Sequence, residues 1–322
     1  MNEDFTGCLL VWCGFLNSWV NGIPVKYNLG PSLSSRVDQR AGDRARSTSD
    51  RYAPRQTAMR ATDVLLFSLL CHVAAGSSAQ VNISRMLGQQ AERVMALGEW
   101  EERWQQDRIG FHQPTVHRML EKNLDKVLNG RTGVRFFFPL CGKAIDMKWL
   151  ADQGHSVVGV EISEKGIQQF FEENNMTFSE EPVPEIPGAK VFRNPEKNIS
   201  LYQCDLFQFS SSIAGRFGAI WDRGSLVAIN PKDRKKYAAL IVSLIDEDCR
   251  YLLDTFLYNP DQYRGPPFFV PDEQVRSLFG SSCNVELLQS VDALTDRQRD
   301  WGLDSFMENI HLITLKNSSA TK

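Results

Sequence analysis

The chain has 322 residues, 42% hydrophobic and 10% aromatic, enough to bury a sizeable core in one large domain or two small ones. A formal charge of -3 and a pI near 6.0 give no global electrostatic reason to expect nucleic acid or an anionic membrane as partner. No apolar run approaches the roughly 20 residues of a membrane span. The seven cysteines, at 8, 13, 71, 141, 204, 249 and 283, are odd in number and form no CxxC pair. That pattern indicates neither a zinc ribbon nor a complete disulfide framework, and fits reduced thiols in the cytoplasm.

In chain order, residues 34–60, "SSRVDQRAGDRARSTSDRYAPRQTAMR", lack apolar periodicity and are dense in Arg, Ser and Asp. Nothing there offsets chain entropy, so disorder is expected. "MRATDVLLFSLLCHVAAGSSAQ", from Met59, has the shape of a secretory signal but sits internally, and reads as a short apolar helix in a loose extension. N-I-S at Asn82 and at Asn198 matches a glycosylation acceptor, a pattern too short to carry an argument. The expected organisation is a poorly structured extension over 1–90, one domain over 91–317 and a tail over 318–322.

From Leu97 the pattern tightens. "LGEWEERWQQD" puts Trp100 and Trp104 on one helical face. In "PTVHRMLEKNLDKVLNG", Pro114 suits a first helical position, Val116, Leu120, Leu124, Val127 and Leu128 form an apolar stripe, and Asn129-Gly130 is a stop signal. Beyond it, strands are expected at 134–139, 156–161, 199–204, 217–222, 250–257, 283–290 and 309–315, with helices near 143–153, 163–175, 232–246 and 271–279. Strands alternating with helices imply an α/β fold, a parallel sheet covered on both faces. The last two strands follow each other without an obvious helix, which suits an antiparallel pair.

In such a sheet, ligands bind beyond the carboxyl ends of the strands. The first such end, "PLCGK", holds one glycine, Gly142, where a dinucleotide loop needs several for close approach to a pyrophosphate. Glu161 nevertheless ends the second strand, where an acid accepts hydrogen bonds from a ribose diol. A ribose without a pyrophosphate points to an adenosyl compound such as S-adenosylmethionine. Asp205, after the third strand in "ISLYQCDLF", is placed to accept from an adenine amino group.

The segments "FFPLCGKAIDMKWLADQGHSVVGVE", "EEPVPEIPGAKVF", "IWDRGSLVAINPKDRKKYA", "GPPFFVP" and "DALTDRQRDWGLD" closely resemble the thiopurine S-methyltransferase family, from about Leu97 to Lys316. The resemblance implies a Rossmann-like class I methyltransferase fold: seven strands, mostly parallel, with the last antiparallel and helices on both faces. It implies that Trp100, Trp104 and Leu140 surround S-adenosylmethionine, that Glu161 holds the ribose, and that Phe111 lies beside the methyl-accepting thiol. Arg223 and Arg297 resemble arginines near the acceptor, expected to hold a thiolate, with Arg223 also at the cofactor. Asp205 stands where a small polar residue is usual in this family, and its adenine contact follows related folds.

The expected activity is methyl transfer from S-adenosylmethionine to aromatic and heterocyclic thiols of the thiopurine type, by a cytoplasmic monomer without metal, nucleic acid or membrane. Two alternatives stay open: a catalytically silent binding module on the same fold, and a nicotinamide oxidoreductase, against which the missing GxGxxG argues. Cys141 reads as a packing thiol, since no His–Asp pair can be placed around it. His112 is the one histidine close to the expected acceptor residues.

Overall fold

The computed structural model describes residues 94–316. The expected disordered stretch at 34–60, the apolar helix from Met59, Asn82 and the tail lie outside the described residues. Two helices precede the sheet: α1 (Leu97–Gln105) and α2 (Arg118–Leu128). α2 starts four residues after Pro114. His117 takes the cap instead, with its main-chain N–H on Asp146 and its ring accepting from the Met119 N–H. The stop signal behaves as read: Asn129 caps the helix in the left-handed conformation.

The sheet has nine strands: β1 (Arg135–Phe138), β2 (Ser156–Glu161), β3 (Ser179–Pro182), β4 (Lys190–Asn194), β5 (Ile199–Gln203), β6 (Phe217–Asp222), β7 (Ile245–Leu257), β8 (Cys283–Asp292) and β9 (Met307–Leu315). Their spatial order is β3-β4-β5-β2-β1-β6-β7-β9-β8. The five from β5 to β7 are mutually parallel, and β9 inserts antiparallel between β7 and β8. These seven form the expected sheet. The β3–β4 hairpin, added antiparallel to β5, was not anticipated. Its outer strand is the exposed SEEP, whose two glutamates give no apolar alternation to read.

Phe136, Phe137 and Phe138 are all buried because successive side chains of β1 serve opposite faces. Phe136 and Phe138 join the core under α2, α3 (Ile145–Asp152) and α4 (Glu164–Glu173), and Phe137 the core under α6 (Arg234–Leu244) and α7 (Asp272–Phe279). Two short helices also escaped the periodicity reading, α5 (Ser211–Ala214) and α8 (Asp296–Asp300), the latter between β8 and β9. The strand order turns at β1, between β2 and β6, the place where an open α/β sheet parts to admit ligands. Among the described residues, no helix is long and apolar enough to cross a membrane.

Candidate active site

The carboxyl ends of β1, β2, β5 and β6 border a cavity of about 1250 Å3. That exceeds the ~300–1,000 Å3 of a site for one drug-sized ligand, leaving room for two small molecules side by side. Trp100, Trp104, Phe111, Leu140, Glu161, Asp205, Arg223 and Arg297 all line it.

At one end, the β1 turn is shaped around a ring and not a phosphate. Leu140 and Gly142 have φ of 45° and 50°, and a Cβ on Gly142 would stand 3.1 Å from the indole of Trp104. Gly166 on α4 faces the same indole at the same 3.1 Å. The glycines admit Trp104, which is 2% exposed. Phe111 meets Trp100 and Trp104 edge to face, with centroids 5.9 and 5.7 Å apart. The carboxylate of Glu161 is buried and accepts the Gly142 N–H at 2.8 Å on one oxygen and the Ser163 N–H at 3.0 Å on the other. Burial pushes its pKa up, and the main-chain donors of Ser163, Gly142 and Ile162 work against the shift. A carboxylate accepts about four hydrogen bonds, so it keeps acceptor capacity for a ribose hydroxyl. With no phosphate cradle beside it, this end fits an adenosyl ligand. Asp205 follows β5, which pairs with β2, and accepts the Phe207 N–H at 2.9 Å, capping the turn Leu206–Gln208.

At the other end, Arg223 follows β6 and Arg297 lies on α8. They donate to consecutive carbonyls of the loop after α1, Arg297 to Gly110 and Arg223 to Phe111 at 2.7 Å. The Nε of Arg223 is buried and without a hydrogen-bond partner. β6 is fixed beneath it by Asp222, which accepts from Tyr237 and Tyr251 at 2.6 and 2.7 Å, and the Ser225 hydroxyl donates to Pro139 O at 2.5 Å, tying the β6 and β1 loops together. His112 lines the cavity with its pKa lowered by burial and then by Lys143. Cys141 is buried, with its thiol pushed up by burial and then by Glu161, and it packs where a Cβ on Gly159 would meet its sulfur at 2.6 Å. It is a packing residue.

Three further polar groups gather here that sequence reasoning missed: His117, Asp254 and Glu308, which bring one ligand atom each within 4.8 Å of the others. The available signal was an acid inside an apolar strand, "YLLDTFL" for Asp254 and "FMENIHLI" for Glu308.

A sequence model of the thiopurine S-methyltransferase family matches residues 95–316. A protein of Danio rerio named probable thiopurine S-methyltransferase is 61% identical over 70% of this chain and 98% of its own. The chain belongs to the thiopurine S-methyltransferase family. The thiopurine S-methyltransferase of Oryctolagus cuniculus is 51% identical over 70% of this chain and 93% of its own. Among solved structures, a SAM-dependent methyltransferase from Anabaena variabilis covers 70% of this chain and 96% of its own at 13% identity, with a TM-score of 0.46. All eight cavity residues named above fall inside the segment matched by the thiopurine S-methyltransferase family.

Proposed function

We propose that this chain methylates the sulfur of aromatic and heterocyclic thiols of the thiopurine type in the cytoplasm, with S-adenosylmethionine as donor. The observation that carries the reading is one cavity with a ribose-type acid at the end of β2 and two arginines at its far side, in a member of this family. Bound S-adenosylmethionine supplies an electrophilic methyl group on a positively charged sulfur. Glu161 orients it through the ribose, Asp205 meets the adenine edge, and Trp100, Trp104 and Leu140 enclose it. Phe111 stacks against the acceptor and, with both tryptophans, keeps water from the reacting atoms. Such orientation lowers a barrier by several kcal/mol. Arg223 and Arg297 hold the acceptor as thiolate, each keeping donors free beyond the one on a carbonyl. Cys141, Cys204, Cys249 and Cys283 are all free thiols, which supports a reducing compartment. The 1–90 extension takes no part in this chemistry.

The decisive experiment is formation of an S-methylated product from an acidic heterocyclic thiol. A protein that binds S-adenosylmethionine but forms no product from any thiol is a silent module instead. For acidic heterocyclic thiols, kcat/KM rises with pH along each acceptor's own thiol ionisation. A rising limb fixed at one pKa across such acceptors, and lost in His112→Ala, identifies a protein base and refutes the unassisted thiolate.

A further inference from the structure

The acceptor end contains polar groups that the fold leaves unsatisfied. β7 and β9 pair with Phe256 opposite Glu308 and Asp254 opposite Ile310, so Asp254 and Glu308 emerge on one face of the sheet, diagonal neighbours. Both are buried, Asp254 completely. Glu308 receives the Arg118 guanidinium on Oε2 at 2.7 Å, and its Oε1 lies 3.4 Å from His117 Nε2. Asp254 lies within 4.8 Å of both His117 and Glu308, yet neither of its oxygens has a hydrogen-bond partner. Buried carboxyl groups with open acceptors are destabilising, and they persist where a ligand completes them. Glu308 and His117 line the cavity, and Asp254 lies buried behind them, within 4.8 Å of both.

A metal ion and a hydrogen-bond donor are the two kinds of group a carboxyl pair takes. The metal is disfavoured by the tautomer of His117. Its Nδ1 accepts the Met119 N–H at 3.4 Å, so the ring proton sits on Nε2, which faces Glu308. There the ring presents N–H where a metal needs a lone pair. Positive charge is also already present, from Arg118 on Glu308 and from Arg223 near Asp254. Burial and then Glu308 push the Asp254 carboxyl well above its usual range. Glu308 already has Arg118 and the His117 ring facing it, and what the cluster lacks is a donor to Asp254.

We propose that Asp254 and Glu308 form a subsite for a ring N–H group of the methyl acceptor. The proposal rests on the reading that this end of the cavity binds heterocyclic thiols. Heterocyclic thiolates with a second ring nitrogen, such as the 2-mercaptobenzimidazole anion, keep one N–H after the thiol proton has left, and donating it to the carboxyl pair leaves the thiolate sulfur directed at the methyl donor. The enzyme thereby distinguishes N–H heterocycles from isosteres with oxygen in that position.

Two methylated products isolate the effect, 2-(methylthio)benzimidazole and 2-(methylthio)benzoxazole, which share a shape, lack an ionisable thiol, and differ by N–H against O. Each is titrated calorimetrically into the full chain saturated with S-adenosylhomocysteine. The benzimidazole binds tighter by about tenfold or more. In Asp254→Leu and Glu308→Met the difference shrinks to within about threefold, the scale of a lost hydrogen bond. Asp254→Leu also keeps or raises thermal stability, because an unsatisfied buried group is replaced by an apolar one; a merely structural Asp254 gives the opposite. Wild-type discrimination below threefold, or discrimination undiminished in both variants, overturns the subsite. Product formation from 2-mercaptobenzimidazole is measured separately. Turnover without discrimination removes the subsite alone, and discrimination without turnover removes the methyl-transfer reading alone.

Discussion

The two ends of the cavity are built on different principles. At the cofactor end, Glu161 and Asp205 stand at the ends of adjacent parallel strands and both accept main-chain N–H groups within a few residues or from the neighbouring turn. Their positions follow from the strands alone. At the acceptor end, the polar and charged groups come from five separate elements: His117 and Arg118 from the start of α2, Arg223 after β6, Asp254 from β7, Glu308 from β9 and Arg297 from α8. Several of their polar atoms are unpaired. A site that must take one invariant ligand can be completed by local backbone. One that receives varied acceptors keeps open valences, at some cost in stability.

Breaking the cofactor end gives the largest effect. Glu161→Ala is expected to weaken S-adenosylmethionine binding at least about a hundredfold, since two charge-assisted hydrogen bonds of roughly 1.5–3 kcal/mol each are lost. Calorimetry together with circular dichroism checks it, and unchanged affinity in a folded variant removes the ribose assignment. Arg223→Ala sharpens the contrast from the other end. Here kcat/KM for acidic thiols drops about tenfold, the scale of one charged hydrogen bond, with the pH dependence still set by the acceptor. Equal losses in cofactor affinity would show that Arg223 serves both ends.

The acceptor end also leaves a mark on stability. Burial, then Arg223 and Arg118, hold the His117 pKa down at about 3. Unfolded histidine titrates near ~6.5, so between these values the unfolded chain binds a proton the folded one refuses. Stability therefore falls as pH drops from ~6.5 toward 3, by up to ~1.4 kcal/mol per pH unit. Asp254, raised by burial and then Glu308, works in the other direction: folding disfavours its charged form, so stability falls as pH rises from the ordinary carboxylate range toward its folded value. Urea unfolding at two pH values within that window, in wild type and His117→Gln, separates them: the acid-side loss shrinks in the variant. The smallest effect expected is from removing residues 1–90, which should change cofactor affinity and turnover by less than about twofold, as the motifs of the proposed site all lie beyond Leu97. Lost activity in the truncated chain would make the extension part of the working protein.

The sequence by itself determined the seven strands of the central sheet, their helices and the two acids at the strand ends. Apolar runs and stop signals are local, and a strand end announces its own acid. The glycine of "PLCGK" was legible as a missing phosphate cradle, but its partner, the Trp104 indole from a helix some forty residues earlier, was not. The β3–β4 hairpin escaped because its outer strand pairs through main-chain hydrogen bonds without burying side chains. Asp254 and Glu308 escaped for a related reason. Each reads as one acid in an apolar strand, and only the antiparallel insertion of β9 beside β7 brings them to one face next to a histidine that caps α2. Proximity across the sheet is set by strand order and register, and neither is written in the spacing of residues along the chain.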